Sequence, residues 1–134
     1  MSRMRGLWLA GLCLILSACG GATAPTVPLN RDFTLSPSET AMIDNTTLGI
    51  HFLGVQGDSR CPADVFCIQG GDAIVKIEVV DRRGGTKPYD LHTGDLRPVK
   101  HDDLTITLVQ LMPYPFSSRT IQPNEYRATL VVSR

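Results

Sequence analysis

The sequence predicts an all-β protein, an antiparallel β-sandwich of about seven to nine strands. Three observations predict this fold. From about Arg31 onward, apolar residues alternate with polar ones, β-branched residues are abundant, and the prolines and glycines lie mostly between the alternating runs. No segment has apolar residues at helical spacing, and the best helical candidate, residues 62–66, is one turn at most.

The first predicted strands are short and the third is longer. In the third, every second residue from Leu48 to Phe52 is apolar and is predicted to face inward, with Val55 as a further inward candidate. The three strands are predicted at Asp32–Leu35, Thr40–Ile43 and Leu48–Val55.

The clearest alternation lies in the middle of the chain, at Asp72–Asp81. Ala73, Val75, Ile77 and Val79 share one face of this predicted strand. The sequence Arg82-Arg83-Gly84-Gly85 follows, and its two glycines permit the positive φ angles of a tight turn. We therefore predict a hairpin in which Thr86–His92 returns antiparallel.

The C-terminal part predicts two further strands. Leu104–Met112 alternates in the same way, and the chain closes with a strand that has Tyr126, Ala128, Leu130 and Val132 on one face. Together these elements predict an immunoglobulin-like sandwich.

The N-terminal segment combines a charged stretch with a short apolar one. Arg3 and Arg5 precede an apolar run of about a dozen residues, whereas a transmembrane helix needs about 20. The run ends in Leu16-Ser17-Ala18-Cys19, which resembles the lipobox of bacterial lipoproteins. The resemblance implies that residues 1–18 are removed as a signal peptide and that Cys19 carries lipid. An uncleaved anchor, or a secretory peptide cut near Ala18 without lipid, is the alternative.

Residues 19–30 are small, include two prolines and show no periodic apolar pattern, so we predict a lipidated, flexible tether. The β-sandwich domain is then residues 31–134. Cleavage leaves 116 of the 134 residues, which suits one domain with its own core. In enteric lipoproteins an aspartate after the cysteine signals retention at the inner membrane. Here Gly20 follows Cys19, so the resemblance implies the outer membrane.

The charge of the mature chain excludes one class of partner. Cleavage reduces the 13 basic residues to 11, against 13 acidic ones, which gives a net charge of about −2. The longest basic run is Arg82-Arg83, which we predict to be a solvated hairpin tip. The sequence therefore has no basic field that could hold nucleic acid.

Cysteine usage predicts one disulfide. Of the four cysteines, Cys13 lies in the signal peptide and Cys19 would carry lipid, which leaves Cys61 and Cys67. In an oxidising envelope compartment, these two are expected to pair. Their Cys-x5-Cys spacing differs from the Cys-x-x-Cys of disulfide exchangers, so we do not expect a redox role.

The segment around this pair reads Asp58-Ser59-Arg60-Cys61-Pro62, then Cys67 after four residues and Gly70 after two more. It resembles the Asp-Ser-Arg-Cys-Pro-x4-Cys-x2-Gly signature of a family of small bacterial envelope lipoproteins. That resemblance covers the chain from about Leu48 to the end. It implies a β-sandwich and brings no established activity.

Two interpretations of this segment remain open. In the structural one, which we favour, Asp58 accepts from backbone amides and Arg60 pairs with Asp58 or Asp64. In the other, the braced loop docks a partner, as protease inhibitors use rigid loops. The candidate partner-binding residues are Asp58, Arg60, Pro62, Asp64 and Phe66. Similarly, Tyr114 and Phe116 could form a binding patch, although we expect them to plug the end of the core.

The sequence predicts no metal, cofactor or catalytic residue. The histidines His51, His92 and His101 are distant from one another and form no known ligand motif. The group Asp95, His101, Asp102 and Asp103 lacks the regular spacing of a calcium loop and is predicted to be a solvated turn. Ser59, Ser117 and Ser118 have no histidine nearby in the chain, and no Gly-x-Ser-x-Gly elbow occurs.

The sequence therefore predicts a lipid-anchored envelope protein with a non-enzymatic binding or structural domain. Its expected partners are the membrane, through the N-terminal lipid, and an envelope protein. The alternatives are a protease-inhibitor-like module that uses residues 58–67 and, less favoured, an envelope hydrolase.

Overall fold

The fold is a β-sandwich, seen in a computed structural model that describes Gly21 and residues 23–134. The predicted signal peptide, residues 1–18, and the predicted lipidation site Cys19 lie outside the described residues. Within the described part of the chain, nine strands form one sheet of five and one of four. The same residues include no helix of the length and apolarity that crossing a membrane requires.

The five-stranded sheet contains β1 (Thr26–Val27), β3 (Thr40–Ile43), β4 (Leu48–Gln56), β5 (Ile74–Asp81) and β6 (Thr86–His92), in the spatial order β1-β3-β4-β5-β6. The four-stranded sheet contains β2 (Asp32–Leu35), β7 (Val99–His101), β8 (Leu104–Met112) and β9 (Arg127–Ser133), in the order β2-β9-β8-β7. A 3-10 turn at Pro123–Glu125 precedes β9. The predicted all-β sandwich with about seven to nine strands is confirmed.

The core lies between the two sheets and is built from the predicted alternating positions. On β5, Val75, Ile77 and Val79 are buried while their neighbours are only partly so. Alternation of this kind places one face of each strand in the core. The largest fully buried side chains include Ile50, Phe52, Ile77, Leu91, Leu104, Ile106, Leu108, Leu130 and Val132.

Two β-bulges keep the long strands in phase with the core. The pairing of β4 with β5 shifts between Phe52 and Gly54, so Val55 pairs with Val75 on the inner side. The pairing of β8 with β9 shifts between Leu108 and Gln110. As a result, Leu111 is buried while Val109 is exposed. Each bulge inserts one residue and so moves the later residues to the opposite face.

The structure corrects the predicted start of the domain. Residues 26–27 were expected to belong to the tether, but they form β1, which pairs in parallel with β3 (Thr26 with Met42, Val27 with Ile43). Val27 and Leu29 pack against the core, which explains why this segment joins the fold. The sheets are therefore antiparallel except for this pair.

Smaller differences concern other strand limits. β7 was not predicted, because three residues with one apolar side chain give no alternation. The strand predicted from Asp72 begins at Ile74, and Tyr126 lies just before β9 rather than in it, although its side chain is buried. The hairpin tip is as predicted: Arg82 and Arg83 are exposed, and both glycines that follow have positive φ.

The strand directions sort the connections into two ends of the sandwich. The strand pairings place residues 36–39, 57–73, 93–98 and 113–126 at one end, which we call the loop end. The opposite end holds residues 28–31, 44–47, 82–85 and 102–103. The segment predicted to bind a partner is therefore at the loop end.

Candidate functional site

The candidate site is the β4–β5 loop, residues 57–73, whose neck is closed by reciprocal hydrogen bonds. The backbone N–H of Ser59 donates to the carbonyl of Asp72 at 2.7 Å, and the N–H of Asp72 donates to Ser59 Oγ at 3.1 Å. Gly71 lies against this contact, since a Cβ there would sit 1.5 Å from the Ser59 carbonyl oxygen. Only glycine permits so close an approach of the two backbones.

Arg60 anchors the loop from below and is the only buried charged residue of the described chain. Its Nε and Nη2 donate to the two carboxylate oxygens of Asp58 at 2.8 and 2.6 Å. Nη1 donates to the carbonyl of Leu111 at 2.8 Å, and Nη2 donates to that of Pro113 at 3.0 Å. A guanidinium matches a carboxylate with two parallel bonds, and the carbonyls accept from two of its three other N–H groups, which offsets the cost of burial.

Tyr126 completes this network from the other sheet. Its hydroxyl donates to Asp58 Oδ2 at 3.0 Å. Burial and the neighbouring Asp58 carboxylate together raise the pKa of Tyr126 to about 12. Burial by itself would raise the pKa of Asp58, but the hydrogen bonds and positive charge of Arg60, with the Tyr126 hydroxyl, hold that pKa below its usual value. Asp58 is therefore ionised at neutral pH, and its carboxylate is hydrogen-bonded to Arg60 and Tyr126.

The upper part of the loop is braced twice. A disulfide joins Cys61 to Cys67, as predicted. The loop is also hydrogen-bonded to the β8–β9 connection, residues 113–126. The N–H of Ala63 donates to the carbonyl of Pro115 at 2.9 Å. Asp64 accepts from both the N–H and the hydroxyl of Ser117. These bonds lower the pKa of Asp64. The loop is thus held by covalent and polar contacts on both sides.

The apex of the loop presents apolar side chains to solvent. Phe66 is 96% exposed and Ile68 is 97% exposed, with Val65 at 45%. The neighbouring connection adds Tyr114 and Phe116, which are about half exposed. Arg60 lies under the ring of Tyr114, 5.6 Å from its centroid. The expectation that Tyr114 and Phe116 plug the core is therefore wrong, because half of each side chain stays in contact with solvent.

The structure divides the five candidate partner-binding residues into two groups. Asp58 and Arg60 belong to the buried network, and Arg60 pairs with Asp58 rather than Asp64. Asp64 holds Ser117, and Pro62 is partly buried at the base of a turn in which the Val65 N–H donates to its carbonyl. Of the five, Phe66 alone is almost fully exposed and free to meet a partner.

Two residues of this site were missed by the sequence. Ile68 could have been identified from the sequence, because an aliphatic residue in a loop, outside any alternating run, indicates an exposed apolar side chain. Tyr126 was assigned to the core face of a strand, and nothing in the sequence linked its hydroxyl to Asp58, 68 residues away.

The histidines lie in separate places. His51 Nδ1 is 2.7 Å from the Thr40 hydroxyl, His92 Nδ1 is 2.6 Å from an oxygen of Asp72, and His101 Nδ1 is 3.0 Å from the Tyr89 hydroxyl. The acidic residues of the predicted solvated turn are exposed, with Asp95 near Arg97 and Asp103 near Arg134. In the part of the chain described, no three histidine, cysteine or acidic residues cluster as metal ligands would.

Comparison with known proteins gives no match: no family model, no curated protein and no solved structure is significantly similar to this chain.

Proposed function

We propose that this chain is a lipid-anchored protein of the bacterial cell envelope whose sandwich domain works by binding, through the β4–β5 loop. Residues 1–18 are the signal peptide and Cys19 carries the lipid. The observation that carries the binding role is the exposure of Phe66 and Ile68 on a rigid loop.

The energetics of exposure support a binding role. Covering one large apolar side chain is worth roughly 1.5–3 kcal/mol, and leaving two of them in water forgoes that stabilisation. The disulfide and the Arg60 network fix the loop before any contact is made. A contact that this loop makes therefore costs little ordering entropy.

The envelope location is supported by independent features. The N-terminal segment has the charge, the short apolar run and the Ser17-Ala18-Cys19 ending of a lipoprotein signal. A disulfide between Cys61 and Cys67 fits an oxidising compartment. We place the protein at the outer membrane because Gly20, not an acidic residue, follows Cys19.

The anchor is tested by labelling cells with radioactive palmitate, with and without globomycin. We expect label in the wild type and its loss in Cys19→Ala, together with release from the membrane fraction. Cys13→Ala is the matched control, since it removes a cysteine from the same segment and leaves residues 16–19 intact. Label in the Cys19→Ala protein would exclude this anchor.

The binding element is tested by photo-crosslinking in intact cells. We place p-benzoylphenylalanine at position 66, and at position 82 on the opposite end as control; both positions are exposed. We expect adducts, with protein or with lipid, from position 66 only. Equal yields from both positions at equal protein levels would contradict a binding role for the loop.

A further inference from the structure

The chain leaves the sandwich at the loop end on its N-terminal side. β1 runs parallel to β3, and β3 starts at Thr40, which pairs with His51 on the side of β4 that leads to Gln56. The residues before Thr26 therefore point towards the end where β4 passes into the β4–β5 loop. Ala24 and Pro25 lie beside Ser38 and Glu39, in the connection between β2 and β3, which hydrogen-bonds to Phe52 of β4.

The covalent distance from the proposed lipid to this end is short. The carbonyl of Pro25 accepts from the N–H of Met42 at 2.8 Å, so the chain joins the sheet there. Six residues connect Cys19 to Pro25, and a fully extended chain of that length spans about 20 Å. The predicted tether, which ran to Asn30, would have allowed about twice that reach. If Cys19 is lipidated, Pro25 is therefore held within about 20 Å of the membrane, at a sheet edge whose preceding residues lead towards the loop end.

Exposed apolar side chains are concentrated at the same end. Of the nine large hydrophobic residues exposed in the described chain, Leu53 and Val109 lie on sheet faces. Six others lie at the loop end, and Met112 is the last residue of β8 beside it; the six are Val65, Phe66, Ile68, Leu96, Tyr114 and Phe116. The opposite end of the described domain has none. An apolar surface of this kind next to a lipid anchor matches the requirements of interfacial membrane contact.

We propose that the loop end rests on the membrane that holds the anchor, with Phe66 and Ile68 inserted at the boundary of headgroups and acyl chains. This inference depends on the proposed lipidation of Cys19. Tyr114 and Phe116 sit at headgroup level, where aromatic side chains are favoured. The lipid raises the local concentration of the loop at the surface, so two inserted side chains suffice to orient the domain. Its opposite end then faces away from the membrane.

Charge contributes little to this contact. The charged groups at the loop end are of both signs and include two ion pairs, Arg97 with Asp95 and Arg119 with the partly exposed Glu125. No cluster of lysines lies there. Apolar burial, unlike attraction to anionic lipid, is insensitive to moderate salt. The contact should therefore form on phosphatidylcholine, which has no net charge.

Tryptophan fluorescence offers a direct test, because the only tryptophan of the chain, Trp8, lies in the proposed signal peptide. The processed, lipidated protein then has none, and Phe66→Trp supplies a single probe at the apex. Arg82→Trp supplies the matched probe at the opposite end. Both positions are exposed, so neither substitution disturbs the core. The two proteins are reconstituted into phosphatidylcholine vesicles that contain a nitroxide-labelled lipid.

We expect both proteins to float with the vesicles, and the emission of the position-66 probe to shift to the blue and fall by about twofold, as for a side chain at the acyl boundary. The position-82 probe should keep its emission. Flotation with both probes equally quenched, or with position 66 unquenched, would overturn the membrane contact while leaving the anchor intact. The second result would assign the loop to a protein partner. Failure of both proteins to float would overturn the anchor and, with it, this inference.

Discussion

The hydroxyl of Tyr126 donates to the Oδ2 atom of Asp58 at 3.0 Å and so joins two residues that are 68 positions apart. Asp58 follows β4 in one sheet, and Tyr126 precedes β9 in the other. With Arg60 between Asp58 and the carbonyls of Leu111 and Pro113, this contact ties the two sheets together beneath the exposed loop. The Asp58–Arg60–Tyr126 network therefore fixes the position of the loop that carries Phe66 and Ile68.

Removing Arg60 should be costly. Arg60→Met removes the guanidinium from the Asp58 carboxylate, which keeps the Tyr126 hydroxyl and the backbone N–H of position 60, and it leaves two carbonyls without this donor. We expect the free energy of unfolding to fall by about 2–3 kcal/mol. Urea denaturation measures this change. Arg83→Met is the matched control, since Arg83 also pairs with an aspartate two residues before it but is exposed. Equal losses in the two variants would contradict the role of the buried network.

Because of the Asp58 carboxylate, the free energy of unfolding should fall in acid. Its pKa is lower in the folded protein than the usual 3.8, so its contribution is present above about pH 4 and is lost as the pH falls through the folded pKa. Asp58→Asn should be less stable than wild type at neutral pH. The difference between the two should shrink below the usual pKa. A difference that stays constant down to the lowest pH at which wild type folds would exclude this linkage.

Tyr126 should ionise late. Its pKa is raised to about 12, above the usual 10.0, so its contribution to stability is complete below pH 10 and is lost as the pH rises through the folded value. Absorbance titration of the three tyrosines should show a step near pH 12 that is missing in Tyr126→Phe. If Tyr126→Phe instead lost a step at lower pH and kept the one near pH 12, the assignment would be refuted.

Gly71 should not tolerate a side chain. Gly71→Ala forces the neck of the loop apart, and overpacking of this kind typically costs about 1–3 kcal/mol. Gly70→Ala is the neighbouring control, because nothing lies within 4 Å of a Cβ at that position. Thermal unfolding of both variants measures the difference. Equal melting temperatures would show that the Ser59–Asp72 contact opens without cost.

The disulfide should act locally. Replacing Cys61 and Cys67 by serine removes a small ring, for which the chain-entropy model gives about 2 kcal/mol. We expect the sandwich to remain folded and the loop to become sensitive to proteolysis between residues 61 and 70. Loss of the whole fold, seen as collapse of amide dispersion in an NMR spectrum, would show that the bridge holds the core as well.

Alternation predicted the strands well because one face of each strand is buried. Residues such as Val75 and Ile77 on β5 needed no tertiary information to be placed in the core. β1 and β7 were missed because two or three residues cannot show a period. The bulges near Leu53 and Val109 were equally hidden, since each becomes visible only in the pairing with a neighbouring strand.

The site was predicted in part. Cysteine arithmetic indicated the bridge, and the short spacing of Asp58 and Arg60 made their pairing one of two options. The bonds to the Leu111 and Pro113 carbonyls join residues more than 50 positions apart and depend on the packing of two sheets. The exposure of Phe66 likewise follows from the brace below it, which no local pattern encodes.

The brevity of β1 has a mechanical consequence. If the lipid holds Cys19, any pull on the domain acts first on this two-residue edge strand and on Pro25 before it. The carbonyls of Pro25 and Val27 accept from the N–H groups of Met42 and Asp44. Those bonds would yield before the long central strands are loaded. Their release would lengthen the tether from six residues to about twelve, with a reach of roughly 40 Å. The domain could then move away from the membrane while still folded.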